Sequence, residues 1–144
     1  MIYNLSKKKT LSTNTKYADT FFVRAIGMMF KDFDKCDAMV FENCNAVQTF
    51  FMKINIDIVF IDNNNKVTSL YPSTPAWKAM IRDKQAYSVI EFPEQTIDKT
   101  TIQVGDTLSI NTEVFDKDTT DINSNNILDC TTETVASCSK NRGE

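Results

Sequence analysis

An ammonium, an amide and a carboxylate recur two residues apart at Lys53, Asn55 and Asp57, inside the apolar stretch FFMKINIDIVFID (50–62). In an extended strand, residues two apart share one face, about 6.5–7 Å from each other. The even positions from Phe50 to Phe60 are all apolar. The odd face is apolar at Phe51, Val59 and Ile61 and polar only between them. Two chemistries fit this pattern. A face that meets water in mid-strand and dips under cover at each end needs no function. The alternative is a pocket floor, where a buried lysine and aspartate must be paired or neutralised. Such groups could grip an anionic or hydroxylated ligand, or titrate during catalysis.

Met52, Arg24, Glu91 and Trp77 are the candidate companions. Arg24 stands among apolar neighbours on a helical pattern, and Glu91 ends the apolar run SVIE. Either could reach the polar row across the core, and a structural ion pair at one end of the fold accounts for them equally. With Glu91 as a second carboxyl, Lys53 or Asp57 could serve as acid, base or nucleophile. Trp77, on a segment flanked by Pro75, could stack on a sugar or peptide, or cap one end of the core. Met28, Met29, Met39 and Met52 fit core filling better than a copper site.

The chain of 144 residues has no histidine, which removes Ser-His-Asp and Cys-His catalysis and the commonest zinc and iron ligand sets. The members of each cysteine pair, Cys36/Cys44 and Cys130/Cys138, are too far apart for a CxxC knuckle. They read as reduced thiols, with disulfides 36–44 and 130–138 as the alternative in an exported protein. Asp121, Asn123, Asn125 and Asp129 fall at positions 1, 3, 5 and 9 of a calcium loop. Asn126 stands where that loop needs glycine and Glu133 comes one place late, so chance in an Asp/Asn-rich region explains the match. No cofactor is implied.

Residues 111–144 carry seven acids against three bases, a net −4, which leaves +1 for the rest within the total of −3. Neither part has the strongly basic face of a nucleic-acid binder. No window approaches the roughly 18 apolar residues of a membrane span. The N-terminus lacks the order of a secretory signal, so a cytoplasmic protein is expected.

The elements that must position these groups are mostly strands. Residues 2–12 alternate weakly as an edge strand, and 16–30 show helical spacing at Phe21, Phe22, Ala25, Met28 and Met29, with Gly27 near its end. Strands follow at 38–43 and 47–62, the latter the longest. A DNNNK turn at 62–66 then leads into a partner strand at 66–71. Thr74 and Pro75 offer an N-cap and first turn for a short helix. Strands at 86–92 and 106–110 close the series. The pattern predicts a mainly β domain over 1–110, a single compact antiparallel barrel or jelly-roll-like sandwich with one or two short helices. An acidic polar tail covers 111–144.

RAIGMMF, AMVF, TFFMKINIDIVFIDNNNKV, PAWK, SVIEF and IQVGDTL occur in an order and spacing that resembles domain-of-unknown-function family 192 of bacteria and archaea. The likeness spans residues 15–110. Asn55, where that family often has proline, and PEQT, where it tends to have glycine, depart from the pattern. The resemblance implies a small, mostly β fold of jelly-roll or barrel character and brings no established activity. Arg24, Gly27, Met52, Lys53, Asp57, Glu91, Gly105 and Asp106 match its recurring positions, with Gly105 and Asp106 assigned to turn geometry. The expected function is a non-catalytic binding or accessory module with a polar pocket around Lys53 and Asp57, its ligand unknown, and with a protein partner for the tail. The alternatives are an enzyme using Lys53, Asp57 and Glu91, and a structural component of a larger assembly.

Overall fold

The structure is a computed structural model that describes residues 1–18 and 36–111. Ten strands and one short helix occupy these residues. They are β1 (Ile2–Asn4), β2 (Lys9–Ser12), β3 (Thr15–Tyr17), β4 (Ala38–Glu42), β5 (Ala46–Val47), β6 (Ile56–Ile61), β7 (Val67–Thr74), β8 (Ile81–Arg82), β9 (Ser88–Pro93), α1 (Thr96–Thr100) and β10 (Leu108–Ile110). The fold is mainly β, as expected. The strands form three sheets, ordered β10-β1-β2, β3-β4-β9-β6-β7 and β5-β8. None of these closes into a barrel.

β6 and β9 lie inside the five-stranded sheet and are buried almost end to end, which is why IDIVFI and SVIEF are near-continuous apolar runs. Their side chains feed two cores on opposite faces. One contains Met39, Phe41, Met52, Ile56, Ile58, Phe60 and Val89, together with Val47 and Ile81 from the small β5-β8 sheet. The other contains Val40, Val59, Ile61, Ile90 and Phe92, packed against Ile2, Leu11 and Leu108 of the three-stranded sheet and Ile97 of α1. Each fully buried phenylalanine contributes roughly 1.5–3 kcal/mol of transfer free energy.

Several expected elements are placed differently. Residues 2–12 form the two strands β1 and β2, with Lys8 in left-handed conformation in the turn between them, and β1 is a central strand. The expected strand 47–62 splits into β5 and β6, because Phe51 adopts a φ of 63° and turns the chain away. The expected helix after Thr74 is a turn leading into β8. Thr74 donates its hydroxyl back to the Tyr71 carbonyl (3.1 Å), and Trp77 sits at φ 67°. The hairpin at 62–66 forms where expected, with Asp62 Oδ1 accepting the N–H groups of Asn64 and Lys66 (2.8 and 2.9 Å). Helix α1 was not foreseen: it is barely more than one turn, and its N-cap residue Gln95 supplies no side-chain bond. The expected helix at 16–30 lies mostly outside the described residues.

Gly105 adopts φ 93° and donates its N–H to the Val67 carbonyl (2.8 Å). An added Cβ would meet nothing nearer than Lys66 Cε at 3.9 Å. The cost of Gly105→Ala is therefore conformational, about 1–2 kcal/mol. Urea denaturation should show that loss with an unchanged m-value.

Candidate functional site

The residues expected to share one pocket do not share one environment. Asp57 is completely buried on β6. Its Oδ1 accepts the Ser73 N–H (2.8 Å), and its Oδ2 accepts the Ile97 N–H (2.7 Å). The first bond holds a residue of β7 in left-handed conformation, at φ 44°, and the second satisfies an orphan donor in the first turn of α1. Asp57 thus does from a distance what a local N-cap would do.

Lys53 and Asn55 are not strand neighbours of Asp57. Both are exposed in the bend that precedes β6, so the three polar groups do not form one row. Asn55 Nδ2 and Ser73 Oγ donate to the exposed Glu94 Oε1 (3.1 and 2.8 Å), and these bonds hold the Glu94 carboxyl below its ordinary range. Met52 is buried in the first core.

Glu91 lies across from Ile58 on one side and Met39 on the other, whereas Asp57 lies across from Phe92. Directly opposed residues share a face, so Glu91 projects into the first core and Asp57 towards the second. The two carboxyls cannot act as a pair. Glu91 is almost fully buried, and its Oε2 has no hydrogen-bond partner among the described residues. Burial pushes its pKa up to about 8, so it holds its proton at neutral pH. Asp106 is buried too, and its Oδ2 accepts Asn4 Nδ2 (2.8 Å) and the Gln103 N–H (3.0 Å). Arg24, Gly27 and the calcium candidates Asp121, Asn123, Asn125 and Asp129 lie outside the described residues, as do Cys130 and Cys138. Cys36 and Cys44 are buried, and Cys44 Sγ–H donates to the Ala46 carbonyl (3.2 Å). No helix among the described residues is long and apolar enough to cross a membrane.

Trp77 is 61% exposed and Phe51 49% exposed, and their ring centroids are 4.9 Å apart in an edge-on arrangement. Phe50 extends the cluster at 6.3 Å from Trp77. Fully buried Thr49 organises it. The Thr49 carbonyl accepts the Trp77 N–H (2.7 Å), its N–H donates to the Lys78 carbonyl (3.0 Å), and its hydroxyl donates to the Pro75 carbonyl (2.8 Å) while accepting the Lys78 N–H (2.9 Å). Bulky residues at positive φ are rare and costly. Here two of them form a surface aromatic platform. Beside it opens a cleft of about 620 Å³ between β7 and residues 75–82. Sequence reading singled out Trp77 but missed Phe51 and the cleft, because an alternating pattern gave no sign of a turn at Thr49.

Residues 3–110 match a protein family described as DUF192, uncharacterized ACR. The chain belongs to the DUF192 family. A UPF0127 protein of Pyrococcus furiosus is 30% identical over 112 residues, covering 75% of this chain and 96% of its own length. Another from Pyrococcus horikoshii is 35% identical over 99 residues, covering 65% and 84%. Among solved structures, a Sinorhizobium meliloti protein whose assignment as a transcription regulator is itself provisional aligns with a TM-score of 0.65 at 16% identity, over 75% of this chain and 88% of its own. A protein of unknown function from Novosphingobium aromaticivorans aligns with a TM-score of 0.56 at 14% identity, over 67% and 74%. At such identities the likeness speaks for the fold alone. This DUF192 chain therefore has a family and a fold, with no activity attached to either.

Two substitutions separate the roles of its buried carboxyls. Asp57→Ala strands two N–H groups and should cost about 2–5 kcal/mol at neutral pH, with Asp57→Asn costing less, both read by chemical denaturation. Glu91 titrates near 4.5 in the unfolded chain and near 8 in the folded one. Between those values the folded state binds the extra proton, so stability falls as pH rises, by up to about 1.4 kcal/mol per unit. Denaturation midpoints from pH 5 to 8 should show this decline in the wild type and lose it in Glu91→Gln.

Proposed function

We propose that this domain is a non-catalytic binding or accessory module whose contact surface is the Phe50/Phe51/Trp77 platform and the cleft beside it. The observation that carries this is the pairing of exposure with strain. Phe51 and Trp77 both occupy left-handed backbone, which asparagine or glycine would adopt more cheaply, and both leave about half or more of their surface to solvent. Thr49 locks the segments that bear them, so the rings are pre-organised for a partner, which lowers the ordering cost of binding. Exposed aromatics of this kind stack on sugar faces, apolar side chains or planar groups.

The enzyme alternative with Lys53, Asp57 and Glu91 has less support. Asp57 spends both oxygens on backbone N–H groups, and Glu91 faces the other side of the sheet. A jelly-roll-like sandwich remains our description of how the three- and five-stranded sheets face each other across the second core. The acidic residues 111–144 we assign to protein-partner docking, on their charge alone.

Trp77 is the chain's single tryptophan, so its emission reports on the platform directly. Titration with oligosaccharides, nucleotides and short peptides should give a saturable emission change for at least one class. Phe51→Asn should weaken that binding while leaving stability unchanged or raising it by up to about 1 kcal/mol, because asparagine tolerates the left-handed conformation. A stability loss in Phe51→Asn, with no emission change for any class, would mean that the platform only closes the fold.

A further inference from the structure

We infer that the cleft beside β7 is a docking groove for an extended acidic peptide segment of another protein, which adds as a strand to the free edge of the five-stranded sheet. The inference rests on the binding-module function proposed above and names its partner class.

β7 is the last strand of its sheet, paired on one side only, with β6. The start of its outer edge is already covered: the Val67 N–H donates to the Asp106 carbonyl and the Val67 carbonyl accepts from Gly105, both at 2.8 Å. Among the described residues, no further backbone bond reaches the outer edge between Ser69 and Pro72. The groove lies along that stretch. It touches both Leu70 and Tyr71, which belong to opposite faces of the sheet, Leu70 to the second core and Tyr71 to the first. Contact with two consecutive residues sets the cleft against the β7 backbone, where an incoming strand would lie.

The far wall is made by residues 75–82, with Met80 62% exposed. Lys78 and Arg82 line the groove and no carboxylate does, which selects a partner with acidic side chains. The same charges disfavour a second copy of this chain, because antiparallel β7–β7 pairing would bring both pairs of cations together. Two features limit the register. Ser69 Oγ donates to Asp83 Oδ2 (2.8 Å), which ties the start of this stretch to the segment after β8. At the other end Pro72 has no N–H, so pairing stops beyond Tyr71.

The probe is a blocked octapeptide of alternating aspartate and valine, titrated into the full chain at low salt. The Leu70 N–H, which faces the outer edge while Ser69 and Tyr71 face β6, should gain protection against hydrogen exchange, and affinity should fall with added salt. Charge reversal in either Lys78→Glu or Arg82→Glu should weaken binding about tenfold or more, and a backbone N-methylated peptide should not bind. Equal binding of the N-methylated peptide would overturn strand addition, and equal binding of an alternating lysine/valine peptide would overturn the acidic class. Protection of the Leu70 N–H before any peptide is added would assign the groove to the chain's own acidic segment and overturn an external partner. If no peptide binds while another ligand still changes Trp77 emission, the binding module stands and the peptide groove falls.

Discussion

Left-handed backbone without glycine is the constraint on which the rest of this structure depends. The chain has three glycines in all, and eight side-chain-bearing residues among those described take up positive φ instead: Lys8, Asn43, Phe51, Asn65, Ser73, Trp77, Gln95 and Thr101. Tight turns at such residues turn backbone N–H groups away from the sheet ladders, and each needs an acceptor. Aspartates provide many of them. Asp37 accepts from Thr13 and Asn14, Asp57 from Ser73 and Ile97, Asp62 from Asn64 and Lys66, Asp83 from Gln85, and Asp106 from Gln103. Much of what looks like acidic chemistry along the chain is turn construction.

Asp57 is the most buried example and the most consequential. Its two bonds tie the end of β7 and the first turn of α1 to the inside of the sheet, so a carboxylate in a core strand is fully employed by the backbone around it. Glu91 is the counterpart: its Oε2 has no hydrogen-bond partner among the described residues, and it sits across from Ile58 and Met39 and keeps its proton. Two acids, one residue apart in the β6–β9 register, thus meet different surroundings because the pleat sends them to opposite faces.

The strands and the 62–66 hairpin were legible because their signals are local: apolar runs such as SVIEF, and turn residues such as DNNN between them. Asp57 and Glu91 were legible as unusual, since each interrupts a buried run. Their separation was not, because a one-dimensional pattern carries no register between β6 and β9. The break after Thr49 was hidden for a related reason. Phe50 to Asn55 alternates like a strand, and only the Thr49 bonds to Pro75, Trp77 and Lys78, nearly 30 residues away, turn it into a platform. Helix α1 escaped because its cap is on another strand altogether.

The strand order has a consequence for how the chain is made. β9 lies between β4 and β6, yet it leaves the ribosome after both. Until Ser88–Pro93 emerges, β4 and β6 each present an apolar, unpaired edge, although the partners of the β1–β2, β3–β4, β5–β8 and β6–β7 pairs are already made. At synthesis rates of about 5–20 residues per second, that interval lasts on the order of seconds. IDIVFI, without a charge on one face and with strong β propensity, is the kind of segment that finds the wrong neighbour in such a window. Translation speed, more than final stability, sets how long this chain remains prone to stick to others.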